Sequence, residues 1–370
     1  MIILEGVMKN TFGNNISVTL FGESHGDMIG AVLDGLCAGI KIDPEYIESR
    51  MNQRKAYGRI STQRHEADKV RIVSGVKDGV TTGTPITVLI ENSNTSSKDY
   101  SILKATPRPS HADYVAEVKY GGNQDYRGGG HFSGRLTAPI VAVGAILSSA
   151  LGKKGIKIGT HIKNLHGVLD RDFVNLDEDI NLLSDKLFPV LSESAESEIN
   201  NEIVKAAEMG DSVGGVLESA IIGLPQGVGE PWFDSLESTL SHALFSIPGV
   251  KGVEFGLGFG FADKYGSEAN DPFYTDGEKI FTKTNNNSGI NGGISNGMPI
   301  IFKVAVRPTP SIFKAQETVN LEAMENTLLK IEGRHDPAII HRARAVVDAI
   351  TAIAIADALA TAYGPSYLGG

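Results

Sequence analysis

RPSHADYVAEVKYGGNQDYRGGGHFSGRLT, residues 108 to 137, is the stretch on which the reading of the fold turns. It carries two histidines (His111, His131), three arginines (Arg108, Arg127, Arg135) and the triplet Gly128-Gly129-Gly130. Three consecutive glycines let backbone pass where a Cβ would not fit, and their N–H groups can turn toward an anion. The uncharged run Leu136–Leu151 that follows reads as a buried helix. A glycine loop opening onto a helix start is a ready anion site. The spacing is neither G-x-G-x-x-G nor the lysine-bearing phosphate loop, so neither nucleotide fingerprint applies. A phosphate or acidic-ligand site remains, beside the plainer reading of a tight turn with surface arginines.

Working outward, 370 residues suffice for one large domain or two ordinary ones. Hydrophobic content of 41% and charged content of 21% are those of a soluble globular chain. The formal charge of −10 argues against a general nucleic-acid surface, since no basic excess exists to displace counterions. The single cysteine, Cys37, sits in an apolar stretch and reads as packing. The N-terminal MIILEGVMKN lacks the apolar core of a secretory signal. Leu136–Leu151 falls short of the ~20 residues of a membrane span. A cytoplasmic location without membrane contact is the expectation.

Toward the N-terminus, Ile16–Phe21 reads as a strand running into Gly22-Glu23-Ser24-His25-Gly26, a turn that displays Ser24 and His25 in different directions. Asp43-Pro44 opens a helix with an N-cap and a proline at its first position. That helix leads into six basic residues within Arg50–His65. Val70–Val76 and Ile86–Glu91 read as strands.

Toward the C-terminus, strands are expected at Ile156–Ile162, Val213–Gly223, Val250–Gly256 and Pro299–Val306, with helices at Ser235–Phe245 and about Ile339–Tyr363. Asp170–Asn201 reads as acidic surface helix and loop, and Gly256–Ala262 as close-packed strand. Lys264–Gly293 is the least structured part and a candidate lid. His161 and His166 lack metal-ligand company and read as incidental, so no metal site is expected. Without linker or repeat, residues 1–370 are expected to form a single domain.

Taken together, Phe21–Gly26, Thr62-Gln63-Arg64, Arg108–Tyr114, Asp125–Gly130, Asn291–Gly297, Arg307–Ser311 and Gly333–Pro337 resemble the chorismate synthase family, in its order and over nearly the whole chain. The resemblance implies an α+β fold, a β-α-β sandwich with antiparallel sheets, assembled as a homotetramer. It implies a lyase that eliminates phosphate and the C6 proton from 5-enolpyruvylshikimate 3-phosphate, with reduced FMN as cofactor and NADPH as reductant in some members.

Carried over residue by residue, His25 would protonate the leaving phosphate and His111 would face the flavin. Asp336, Ser24 and Ser133 would relay the C6 proton. His131, Phe132, Ser133, Gly292, Arg307, Pro308, Thr309, Pro310, Ser311 and Arg334 would hold FMN. Arg54, Arg59, Arg135 and Arg342 would meet the substrate or NADPH. The chain departs from the family where His131-Phe132-Ser133-Gly134-Arg135-Leu136-Thr137 replaces the common Arg-Ser-Ser-Ala-Arg-Glu-Thr. Ser110 also replaces a glycine, and Gln53-Arg54 replaces paired arginines. Two other readings stay open at this point. One is a phosphotransferase, which lacks the lysine and the clustered carboxylates for Mg²⁺. The other is an anion-binding module, which leaves His25, His111 and Asp336 unexplained.

Overall fold

A computed structural model of the chain describes residues 9–56, 58, 60–61, 68–92, 103–331 and 335–369. Alternating sequence builds the first of two five-stranded sheets, in the order Thr11–Phe12, Ser17–Gly22, Met28–Asp34, Ile86–Glu91 and Arg71–Ile72. All its pairings are antiparallel. At its centre Ile29, Ala31 and Leu33 face Ile90, Val88 and Ile86, and all six are buried, as a period of two requires on a core face. The second sheet runs Val250–Phe255, Ile300–Val306, Gly215–Ile222, Lys157–Leu165 and Val168–Leu169, again antiparallel.

The helices Thr137–Lys153 and Ile340–Tyr363 pack on each other, and each also touches both sheets. The result is the expected α+β sandwich, sheet on helix on sheet. Small residues set the spacing between the two helices: a Cβ on Gly144 would lie 2.4 Å from that of Ala349. Gly134–Lys153 and Ile340–Tyr363 are each long and apolar enough to cross a membrane by length and composition, yet most of each is buried in the core. Each fully buried Ile or Leu of this layer contributes roughly 1.5–3 kcal/mol. Asp43 caps the Pro44–Arg54 helix by accepting from the Tyr46 N–H at 3.0 Å, and that helix packs on both central helices.

Several expectations change. Val70–Val76 is not one strand: Arg71–Ile72 joins the first sheet, while Val76–Lys77 forms a separate hairpin with Val80–Thr81. The backbone turns between them at Gly75, whose φ is 77°. Gly256–Ala262 is not strand either. Gly256 and Gly258 take φ values of 56° and 53°, the sheet ends at Phe255, and Gly258–Asp263 coils into a 3-10 turn that leaves Phe259 exposed.

Lys264–Gly293 is more ordered than its composition suggests. The Asp271 carboxylate accepts from the Thr284 hydroxyl, the Asn286 and Asn287 backbone and the Asn287 side chain. Phe273–Thr275 also pairs with Ile280–Thr282. The acidic region does hold the helices Leu176–Asp185 and Glu193–Glu208, but Asp170 and Asp179 within it are buried, not surface residues. Arg59, Thr62, Gln63, Arg64, His65 and Arg334 lie outside the described residues.

Candidate active site

The glycine triplet is where two distant histidines meet the same backbone. All three glycines adopt positive φ (58°, 84° and 54°). A Cβ on Gly128 would lie 2.3 Å from His25 Cε1 and 2.9 Å from Ser24 Oγ, and one on Gly129 would lie 3.1 Å from His111 Cε1. The Ser24 N–H donates to the Gly130 carbonyl at 3.1 Å, tying the strand-end turn to the triplet. Ser24 and His25 do not point apart as expected: Ser24 Oγ lies 3.2 Å from His25 Nδ1. The Ser24 hydroxyl donates to the carbonyls of Arg127 (3.1 Å) or Gly128 (3.3 Å), so its oxygen accepts from the His25 Nδ1–H.

His111 is oriented by charge. Its Nδ1 lies 2.6 Å from the Asp113 carboxylate, which can only accept, so the Nδ1 proton points there. Asp113 also takes Arg108 Nε and Nη2, each at 2.7 Å. Burial works against that carboxylate's charge, but the hydrogen bonds from Arg108 and His111 prevail and hold it far below the usual carboxylate range. Beside the ring opens a shallow cleft lined among others by His111, Asp113, Tyr126, Gly129 and Phe132. Phe132 sets its edge against Tyr120, with ring centroids 6.1 Å apart. His131 Nδ1 donates to the Gly22 carbonyl at 2.8 Å.

Ser133 caps the 3-10 turn Gly134–Leu136, accepting from the Arg135 N–H at 3.3 Å. The Arg135 side chain turns inward to the Glu91 carbonyl (3.0 Å), Asn92 Oδ1 (2.8 Å) and the Asp68 carboxylate. Arg54 meets the same carboxylate from the other side at 2.9 Å. It also donates to Thr137 Oγ1 (2.9 Å) and to the carbonyls of Gly134 (3.1 Å) and Arg135 (3.2 Å). Burial would raise the Asp68 pKa, but the two guanidiniums hold it below the carboxylate norm. Arg54 is thus built into the wall by internal contacts instead of lying open to a ligand. Arg342 donates to the Arg54 carbonyl (2.8 Å) and to Asp336 (2.8 Å), placing both beside this group.

The Arg307–Ser311 strip reaches the same region. Arg307 donates to the Ser110 carbonyl, one residue before His111, at 2.5 Å. The Thr309 and Pro310 carbonyls accept from Ser212 and Gln316, which fixes the backbone around Pro308 and leaves Ser311 buried. Thr309 Oγ1 is buried and has no hydrogen-bond partner among the described residues. His335, one residue before Asp336, packs on Phe313; burial and the Arg108 charge push its pKa below the ordinary imidazole value. Gly292 stands apart. It is exposed in the hairpin of Ile290–Asn291 and Ile294–Ser295, where Gly293 packs on Glu230 and Ser235.

Two residues of this constellation carry no motif. Asp68 clamps a pair of arginines, and Asn92 spans the gap between Arg135 and the His25 turn. Only Asp68 left a trace in the sequence, as one acid following a dense basic run.

A profile described as "Chorismate synthase" matches residues 16–360. The chain is 46% identical over 347 residues to the chorismate synthase of Thermococcus gammatolerans, covering 94% of this chain and 96% of that protein. It is 45% identical over 353 residues to that of Methanobrevibacter smithii, covering 95% and 96% respectively. A solved structure described as a crystal structure of chorismate synthase superposes with a TM-score of 0.72 at 29% identity, covering 94% of this chain and 93% of the other.

Proposed function

The chain belongs to the chorismate synthase family, and on that premise we propose that it converts 5-enolpyruvylshikimate 3-phosphate to chorismate, the last step of the shikimate pathway toward aromatic amino acids. The reaction is a carbon–oxygen lyase step, a 1,4-anti elimination of phosphate and the C6 proton, and the cofactor is reduced FMN. One observation carries this reading: Gly128 and Gly129 press against His25 and His111 within one site edged by Arg135, Arg342 and Asp336.

The described residues fit a flavin. The buried Thr309 Oγ1 has no hydrogen-bond partner among the described residues, and the cleft beside His111 and Phe132 is walled by a ring and by bare glycine backbone. His131, Phe132 and Ser133, with Arg307–Ser311 and Arg334, would hold it. Bound there, reduced FMN would supply transient electron density to the elimination.

Protonated His25, its Nδ1 engaged by Ser24, would deliver its Nε2 proton to the departing phosphate. Arg342 and Arg59 would meet the charge growing on phosphate and carboxylates, where preorganised cations act most strongly once water is excluded, while Arg135, turned inward, would lend its charge from the wall. Arg54 would serve by fixing Arg135 and Arg342 in place. His111, held by Asp113, keeps a proton-bearing ring against the cofactor side of Gly129. Ser24, Ser133 and Asp336 would carry the C6 proton away.

The chain would act as one cytoplasmic domain in a homotetramer. Exposed Trp232 (85%), Phe233 (92%) and Phe259 (88%) support an interface that another copy would cover. Anaerobic incubation with 5-enolpyruvylshikimate 3-phosphate and photoreduced FMN tests the reading: phosphate and chorismate should appear in equal amounts, and absence of both would refute it. Repeating it with oxidised FMN and NADPH shows whether the chain reduces its own flavin.

A further inference from the structure

We infer that Asn92 is a positioning residue that sets the His25 turn against the arginine group. Its side-chain amide spends every polar atom on that junction. Nδ2 donates to the carbonyls of Glu23 (3.0 Å) and Gly26 (2.7 Å), the residues that bracket Ser24 and His25. Oδ1 accepts from Arg135 Nε at 2.8 Å. The backbone N–H of Asn92 adds a bond to the Asp27 carbonyl at 3.1 Å. Arg135 in turn holds Asp68, which holds Arg54, whose carbonyl takes Arg342. A rigid path therefore runs from the turn carrying His25 to the guanidinium paired with Asp336, and Asn92 is its first link.

The chemistry of the position is specific. The junction needs two N–H donors facing two carbonyls and one acceptor facing a guanidinium, and a primary amide of this length supplies all three. A carboxylate at this position would keep the arginine contact but bring acceptors against the carbonyls of Glu23 and Gly26. A methyl group would lose both sides. The opposite flank of the turn is held by Ser24 N–H on Gly130, so loss of the Asn92 amide removes the side-chain ties of this flank and leaves only its backbone bond to Asp27. Displacement of a catalytic group by about 1 Å can cost on the order of 10² in rate.

The inference rests on the reading that His25 is the general acid, and its test separates the two. Asn92→Ala and Asn92→Asp are compared with the wild-type chain by turnover of 5-enolpyruvylshikimate 3-phosphate with photoreduced FMN. NMR titration of the His25 ring is recorded in parallel without substrate, and near-UV circular dichroism confirms folding. Both variants should lose about 10- to 100-fold in kcat with KM within about threefold. The His25 ring signals should shift and titrate at a displaced pH while those of His161 stay in place. A His25 titration coincident with wild type, or an Asn92→Asp variant with wild-type kcat, overturns the inference. Unfolding of both variants also overturns it, because Asn92 would then be a fold residue. If the wild-type chain makes no chorismate, the functional reading fails while the His25 titration still decides the role of Asn92.

Discussion

Two of the histidine–carboxylate groups among the described residues, those of His111 and His161, have surroundings that give them opposite uses. At the glycine triplet, His111 has one ring nitrogen held by Asp113 and turns its other edge toward Gly129 and an open cleft. In the second sheet, His161 is completely buried, with Nδ1 on Asp170 (2.9 Å) and Nε2 on Glu218 (3.1 Å). Both of those nitrogens face carboxylates, an arrangement that favours the imidazolium. Burial opposes that charge, but the two carboxylates outweigh it and raise the His161 pKa, while Asp170 falls to about 2. Asp170 is further bound by the N–H groups of Leu191 (2.6 Å) and Ser192 (3.0 Å). A histidine beside a carboxylate is thus no signature of chemistry by itself. The group with a nitrogen left to face a ligand is the one that can act, and the saturated one holds strands together.

The sharpest way to break this contrast is to remove each ring in turn. His25→Ala and His111→Ala should lower kcat by about 10²–10⁴ with unfolding midpoints near wild type. An effect within about threefold would remove them from the mechanism. His161→Leu should do the reverse, lowering stability by about 3–5 kcal/mol in denaturant unfolding, because Asp170 and Glu218 would be left buried and facing a methyl-lined gap. Its kcat should stay within about threefold of wild type.

Acidity sharpens the comparison further. His161 has a folded pKa above its unfolded value of ~6.5, so its contribution is complete below that pH and disappears as pH rises through the raised folded value. Asp170 runs the other way: its contribution is present above its unfolded value of 3.8 and is lost as pH falls through about 2. His341, pushed down to about 3 by burial, weakens the fold as pH drops below ~6.5 in both wild type and variant. The difference in stability between wild type and His161→Leu should therefore shrink as pH rises above neutrality through the raised His161 value. A difference that grows with pH would contradict the imidazolium. The smallest effect belongs to the exposed pair Arg71–Glu91, at 3.2 Å, where Arg71→Gln should leave the unfolding midpoint unchanged within error.

Features written in contiguous residues were legible beforehand. Asp43-Pro44, the apolar runs of the two central helices, the strand Ile86–Glu91 and the glycine triplet each state their structure locally. Features made only by chain closure were not. His161 meets Asp170 and Glu218 from 9 and 57 positions away, across neighbouring strands, and read alone it looked incidental. Asp68 and Asn92 are ordinary polar residues until Arg135 folds between them. Arg54 was legible as a basic residue near the site, but its burial under Thr137 and Asp68 follows from helix packing and has no local trace. Gly256 and Gly258 misled for a related reason: an apolar run with alternating glycines satisfies a strand pattern, and only the positive φ values show that it leaves the sheet.

The central claim is that the glycine triplet with its two histidines is the reacting site, and that the other histidine group is structural. Anaerobic single-turnover phosphate release from 5-enolpyruvylshikimate 3-phosphate with photoreduced FMN, measured side by side for wild type, His111→Ala and His161→Gln, tests it most directly. Release should slow by about 10²–10⁴ in His111→Ala and stay within about threefold of wild type in His161→Gln. Equal rates in wild type and His111→Ala, or a collapse confined to His161→Gln while that variant remains folded, would contradict the account.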